Sequence, residues 1–183
     1  MNTIFALSHA MRWQAPIDSP HRAAPMTTAF EVGRDPAEDA AIRAVAPFHL
    51  AFPVRDIDEA RRFYGEILGC PEGRSAPRWV DYNFWGHQLV CHLVEGHDAS
   101  ASSNAVDGDP VPVPHFGLAM TAEAFDALVE RVTGKVDFVI APHVRFEGMP
   151  GEQRTMFFKD PSGNALEFKT MANPANLFAR YNV

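Results

Sequence analysis

Pro47-Phe-His-Leu-Ala-Phe-Pro-Val54 and Pro114-His-Phe-Gly-Leu-Ala-Met120 are the two stretches whose reading decides the fold. Each is a short apolar run led by a histidine, His49 in the first and His115 in the second, and each runs into an amphipathic helix pattern. In the first, period-two alternation sends His49 and Ala51 to one strand face and Phe48, Leu50 and Phe52 to the other. Asp56 and Glu59 then make a capping-box signature. Ile57, Ala60, Phe63, Tyr64, Ile67 and Leu68 follow at helical spacing, with Gly69 as a stop. Pro71 to Pro77 is irregular with room for a short strand. Residues 79–85 alternate as a strand, Gly86-His87 reads as a tight turn, and 88–95 return. The order is β-α-β-β-β.

After the second stretch that order repeats. Thr121 is an N-cap, and Phe125, Leu128, Val129 and Val132 form the buried helix stripe, which Gly134 ends. Strands follow over Val136–Ile140, Gln153–Phe158 and Ala165–Thr170. Asp160-Pro-Ser-Gly-Asn164 is the turn joining the last two. The histidines set a repeat of 66 residues, 115 minus 49. An α+β fold of two βαβββ modules is the expectation, with about eight strands. Module one spans 46–96, a linker 97–112 and module two 113–171. Residues 1–45, rich in Ala, Pro, Ser, Thr and Arg, read as a flexible N-terminal extension with a short helix at 37–44. Translation is read as starting at either Met1 or Met26. Residues 172–183 form a C-terminal tail.

Glu167 lies inside the apolar strand Ala165-Leu-Glu-Phe-Lys169. A carboxylate there costs several kcal/mol unless it is paired or coordinated, so it calls for a cation. The ordinary partner is a buried arginine such as Arg145. A lone strand histidine is usually hydrogen-bonded to backbone, but two at matching places in a repeat, each followed two residues later by a small residue (Ala51, Gly117), point to metal ligation. His92 shares a strand face with Val90 and Val94, and reads as a ligand or an acid–base group. Arg145, Gln153 and Thr155 are weaker candidates for contact with substrate. His87 and His143 favour ordinary surface roles.

The 183 residues suffice for one domain with a sizeable core. A net charge of −7 excludes the basic stripe that nucleic-acid binding requires. No apolar run is long enough to cross a bilayer, and the N-terminal residues lack a signal-peptide core, so a cytoplasmic protein without a membrane partner is expected. Cys70 and Cys91 fit neither a zinc knuckle nor a CxxC pair, and Cys91 reads as a buried, inert thiol.

The two modules, the strand-leading His49 and His115, and the ending Asp-Pro-Ser-Gly-Asn-Ala-Leu-Glu-Phe together resemble the vicinal oxygen chelate superfamily, which holds glyoxalase I, bleomycin-resistance proteins and extradiol dioxygenases. Phe-His-Leu-Ala-Phe-Pro-Val, Phe-Trp-Gly-His-Gln-Leu-Val-Cys-His-Leu and Arg-Phe-Glu-Gly-Met-Pro-Gly-Glu-Gln are similar to an extradiol-dioxygenase-like bacterial subfamily. The resemblance covers about residues 46–171. It implies two half-barrels around a cleft and a homodimer. It also implies a divalent metal on His49, His92, His115 and Glu167, with Fe(II) foremost and Zn, Ni or Mn as alternatives. His49, His115 and Glu167 match the two-histidine, one-carboxylate set of non-haem iron enzymes. His92 stands where glyoxalases carry a fourth ligand, while extradiol enzymes place a proton-moving histidine nearby. The sequence departs from extradiol enzymes in having Phe157 and Phe158 where a catalytic tyrosine usually stands. It departs from glyoxalase I in having a histidine, not a carboxylate, at position 92. The implied activity is extradiol-type dioxygenation of a small dihydroxy-aromatic or vicinal-oxygen substrate. Glyoxalase-like lyase or isomerase chemistry is the alternative, and non-catalytic binding of a small molecule a third.

Overall fold

Residues 46–99 and 102–180 are described by a computed structural model. The extension 1–45, its expected helix at 37–44 and the Met1 or Met26 start lie outside the described residues. In β1 (His49–Val54) Phe52 and Val54 are buried while His49 and Ala51 are exposed, so the alternation read from sequence sets the strand's two faces. The Asp56 carboxylate caps α1 (Ile57–Ala60) by accepting from the Glu59 N–H at 2.8 Å. The helix then widens into a π-helical segment, Arg61–Ile67, which the apolar spacing did not reveal. There the Leu68 N–H returns five residues to the Phe63 carbonyl.

Module one continues through β2 (Glu72–Ala76), β3 (Trp79–Phe84) and β4 (His87–Leu93). Its sheet has the order β1-β4-β3-β2, with β1 and β4 parallel. Module two repeats the plan after two further strands, β5 (Ser102–Val106) and β6 (Asp109–Val113). It comprises β7 (His115–Ala119), α2 (Ala122–Val132), β8 (Phe138–Arg145), β9 (Gln153–Lys159) and β10 (Ala165–Met171), in the order β7-β10-β9-β8. Thr121 caps α2 through Ala124 as expected. β8 runs five residues beyond Ile140, so His143 and Arg145 lie within it.

The linker expected over 97–112 holds regular structure. It carries a hairpin, β5 (Ser102–Val106) and β6 (Asp109–Val113), turned by Asp107 and Gly108, both at positive φ (50° and 84°). Asp-Gly is the residue pair such a two-residue turn favours. Pro110 and Pro112 masked the strand, because proline suits only a strand with a free edge. Residues 172–180 contain a short 3-10 turn, Pro174–Phe178.

The modules share one core. Phe52, Tyr64, Phe84, Phe125, Phe158 and Phe168 are buried together, with Phe158 and Phe168 stacked at 5.6 Å. Phe52 of β1 meets Phe116 of β7 at 5.0 Å. Asp160 ties the modules with a polar contact, accepting from the Tyr64 hydroxyl at 2.9 Å while taking N–H groups from Ser162 and Asn164. Cys70 and Cys91 are buried, unpaired thiols. Among the described residues no helix is long and apolar enough to cross a membrane.

Candidate metal centre

Because the inward residues of β1 and β7 meet in the core, His49 and His115 sit on the opposite, outward faces of their sheets. Alternation then decides which side chains join each of them. In module two, β10 runs beside β7 with Glu167 opposite Gly117 and Ala165 opposite His115. Glu167 and His115 therefore share a face, and His115 Nε2 lies 3.2 Å from Glu167 Oε2. Gly117 permits this pairing, since a Cβ there would overlap the Glu167 carbonyl oxygen. Thr155 of β9 donates its hydroxyl to Glu167 Oε1 at 2.9 Å, and Lys169 Nζ stands 3.6 Å from Oε2. His115 Nδ1 donates to the Pro112 carbonyl at 2.6 Å, which fixes the ring and leaves Nε2 aimed at the carboxylate.

These contacts set the charges. Burial pushes the Glu167 carboxyl up, but the His115 hydrogen bond, Lys169 and Thr155 outweigh it and hold the group below the ordinary carboxylate range. The Glu167 hydrogen bond raises His115, against a lowering by burial. Glu167 is thus an ionised, almost buried oxygen donor beside an oriented imidazole nitrogen.

The alternative partner for Glu167, Arg145, is elsewhere. Arg145 is buried under the hairpin, where it donates to the Val106 carbonyl at 2.6 Å and faces Asp109 at 3.3 Å. His143 Nε2 reaches the same Asp109 oxygen at 3.0 Å. The hairpin is thereby fastened over the β8–β9 half of the face, where Val111 packs on Ile140 and Phe157. Arg145 and Thr155, expected at substrate, are taken up by Asp109 and by Glu167, and Gln153 is buried opposite Arg145.

In module one, His49 is exposed on the outward face, with Nδ1 2.7 Å from Gln88 Oε1. His92 lies on that face too, but the register moves it away. Gln88 opposes His49, whereas His92 opposes Pro53, four residues further on. At ~3.3 Å per residue the backbone positions of the two histidines are about 13 Å apart along the sheet. Ligands to one ion sit about 2 Å from it, so His49 and His92 of one chain cannot share an ion. The same register makes Val90, opposite Ala51, the counterpart of Glu167, and pairs His92 with Lys169 in the repeat. The expected fourth ligand, His92, is thus set apart from His49 on the sheet and does not hold the position that Glu167 holds in module two. His87 is structural, its Nδ1 accepting the Phe48 N–H at 3.0 Å.

Sequence reasoning missed Asp81, Gln88, Lys169 and Asp109. Asp81 was within reach of the logic applied to Glu167, being a carboxylate in the apolar strand Trp79-Val-Asp-Tyr-Asn-Phe84. Among the described residues no three histidine, cysteine or carboxylate side chains of one chain converge as a metal cage. The donor types nonetheless fit a divalent ion. Glu167 and His115 converge on one face, and His49 presents a third, matching donor on the other sheet.

Residues 46–168 match the model of the Glyoxalase/Bleomycin resistance protein/Dioxygenase superfamily. The chain belongs to this superfamily. A glyoxalase/bleomycin resistance protein/dioxygenase from Alicyclobacillus acidocaldarius is 37% identical, with a TM-score of 0.62, over 72% of this chain and 95% of that one. Two fosfomycin resistance structures share the fold. A mutant of FosX from Listeria monocytogenes, complexed with Mn(II) and 1S,2S-dihydroxypropylphosphonic acid, is 15% identical with a TM-score of 0.56, over 74% of this chain and 99% of that one. FosX from Mesorhizobium loti is 20% identical with a TM-score of 0.51, over 72% and 95%. No curated protein matches the chain. Members of the superfamily are often metalloenzymes, and the two four-stranded sheets are its paired modules.

Proposed function

We propose that this chain is a divalent-metal-dependent enzyme acting on a small substrate that carries adjacent oxygen atoms, with His49, His115 and Glu167 as the ligands. The convergence of His115 Nε2 and Glu167 Oε2 at 3.2 Å, on a carboxylate that is almost buried, carries this reading. Two imidazoles and one carboxylate leave open positions for a substrate. When bound, the ion supplies Lewis-acid polarisation of two neighbouring oxygens, and as Fe(II) it also supplies redox chemistry with O₂.

The chain's own groups do the rest. Glu167 contributes negative charge, and Thr155 holds its orientation. Pro112 keeps the His115 proton on Nδ1. The β5–β6 hairpin excludes water from the Phe157 side. Lys169, the cation nearest Glu167, is placed to meet an anionic group of the substrate.

The third ligand comes from a second copy. His49 and His115 face away from a core that both modules share, so the His49-bearing face of one chain completes the site of another in a homodimer. Phe48 and Trp85 of module one are 60% and 43% exposed, large apolar groups left for a contact between copies.

Within this class, ring-opening oxygenation of a dihydroxy-aromatic compound by an Fe(II) form is the first reading, on the two-histidine, one-carboxylate set. Isomerisation or lyase chemistry with Mn, Ni or Zn is the second. It is favoured by Phe157 standing where a tyrosine would act in extradiol enzymes, and by the Mn(II) complex of the FosX relative. Metal analysis of protein purified without oxygen, followed by oxygen uptake with a panel of catechols, separates them. Stoichiometric iron with uptake supports the first, and manganese, nickel or zinc without uptake the second. A protein that retains no metal and binds none on loading contradicts both.

A further inference from the structure

The outward face of module one carries a chain of polar contacts that runs across all four strands and ends at His49. Arg74 of β2 reaches Asp81 of β3, with Nε at 3.0 Å and Nη2 at 2.9 Å from Oδ2. Gln88 of β4 donates its Nε2 to the same Oδ2 at 3.0 Å. Gln88 Oε1 then stands 2.7 Å from His49 Nδ1 of β1. Asp81 is 5% exposed, and these two donors are what keep its charge in an apolar strand.

Chemistry gives the chain a direction. An ionised carboxylate only accepts, so the Gln88 group facing Asp81 is the amide nitrogen, and the group facing His49 is the carbonyl oxygen. That oxygen also only accepts. In the neutral ring the His49 proton therefore resides on Nδ1, which leaves the lone pair on Nε2. In module two His115 likewise gives its Nδ1 proton to an acceptor, the Pro112 carbonyl. There Nε2 faces the Glu167 carboxylate at 3.2 Å, so of the two imidazoles only that of His49 is held by its Nδ1 contact alone.

We propose that Asp81 and Gln88 are positioning residues that hold His49 in the Nδ1–H form, so that Nε2 is ready for a metal ion without rearrangement. Arg74 pairs with Asp81 from the solvent side, its guanidinium lying 5.8 Å over the Trp79 ring. The functional half of this proposal rests on the metal reading given above, whereas the tautomer is a property of the metal-free protein. Second-sphere partners of this kind typically change metal affinity 10- to 100-fold.

Long-range nitrogen–proton correlation spectra of the metal-free protein, in alkaline buffer where imidazoles are neutral, read the tautomer directly. Wild type is expected to show His49 as Nδ1–H. Gln88→Leu should move it toward Nε2–H, and Asp81→Asn should give a mixture, because an amide partner lets Gln88 turn over. Mn(II) titration followed by electron paramagnetic resonance should show affinity falling about tenfold or more in both variants, with melting temperature confirming that each is folded. A tautomer unmoved by Gln88→Leu overturns the relay. A shifted tautomer with Mn(II) affinity unchanged overturns the positioning role. Wild type that binds no Mn(II) overturns the metal reading itself, a failure seen without any variant.

Discussion

Replacing Glu167 by glutamine removes one charge while keeping the side chain's shape. In the wild type, Oε1 accepts from Thr155 and Oε2 faces His115 and Lys169. In Glu167→Gln the amide oxygen can still take the Thr155 proton, and the amide nitrogen then donates to His115 Nε2. That arrangement satisfies Thr155 and His115 and leaves the part-exposed Lys169 to solvent, so the metal-free variant should fold, with stability within about 1 kcal/mol of wild type. Metal binding should fail. Removing one partner of a buried charge pair costs about 3–5 kcal/mol, and each 1.4 kcal/mol is tenfold, so Mn(II) affinity should fall by roughly two to three orders of magnitude. At a hundredfold excess over the dissociation constant, a ligand stabilises the folded state by about 2.7 kcal/mol, or roughly 5–10 °C for a protein of this size. Thermal melts with and without Mn(II) should show that rise in wild type and none in Glu167→Gln. An equal rise in both would refute the assignment of Glu167 as a ligand.

Gly117→Ala should destabilise the protein by about 1–3 kcal/mol by forcing β7 from β10, read as a lower melting temperature; an unchanged one would contradict the close approach at Glu167. Asp160→Asn sets an amide N–H₂ against one of two donor pairs, the Ser162 and Asn164 N–H groups on Oδ1 or the Tyr64 hydroxyl and Asn164 amide on Oδ2, and should cost about 3 kcal/mol in chemical denaturation. Burial pushes the Cys70 thiol up to about 12 and raises Cys91 further, so neither should react with a thiol reagent until the chain unfolds. In the metal-free protein the Glu167–His115 pair should stabilise most between the ordinary carboxylate and imidazole values of 4.5 and 6.5. Glu167 is depressed, so its contribution fades as pH falls through its folded value. His115 is raised, so its contribution fades as pH rises through its folded value. A pH series of melts on wild type and Glu167→Gln should show the difference only in wild type.

Much of the architecture could be read from local signals. Strand alternation at His49, the Asp56 and Thr121 caps, and the Asp160–Asn164 turn each depend on neighbours close in the chain. The hairpin at 102–113 went unread because two prolines and small polar residues lack strand character, and its burial comes from Ile140 and Phe157, distant in sequence. His115 with Glu167 was legible, since a buried carboxylate needs a cation. The place of His92 was not, because register across β1 and β4 decides it and a shift of two residues leaves the hydrophobic pattern unchanged. Asp81 and Gln88 reach His49 by diagonal and cross-strand contacts that only the paired sheet displays.

Mixing two inactive variants tests the shared metal centre most directly. His49→Ala and His115→Ala should each lose Mn(II) binding alone. In a mixed dimer, one site joins an intact His115 and Glu167 with His49 of the partner subunit, so unfolding and refolding the two together should restore up to one Mn(II) per mixed dimer. A refolded mixture that binds no more Mn(II) than its separate components would contradict a site built from two copies. A His115→Ala protein that binds Mn(II) as wild type does would contradict the centre altogether.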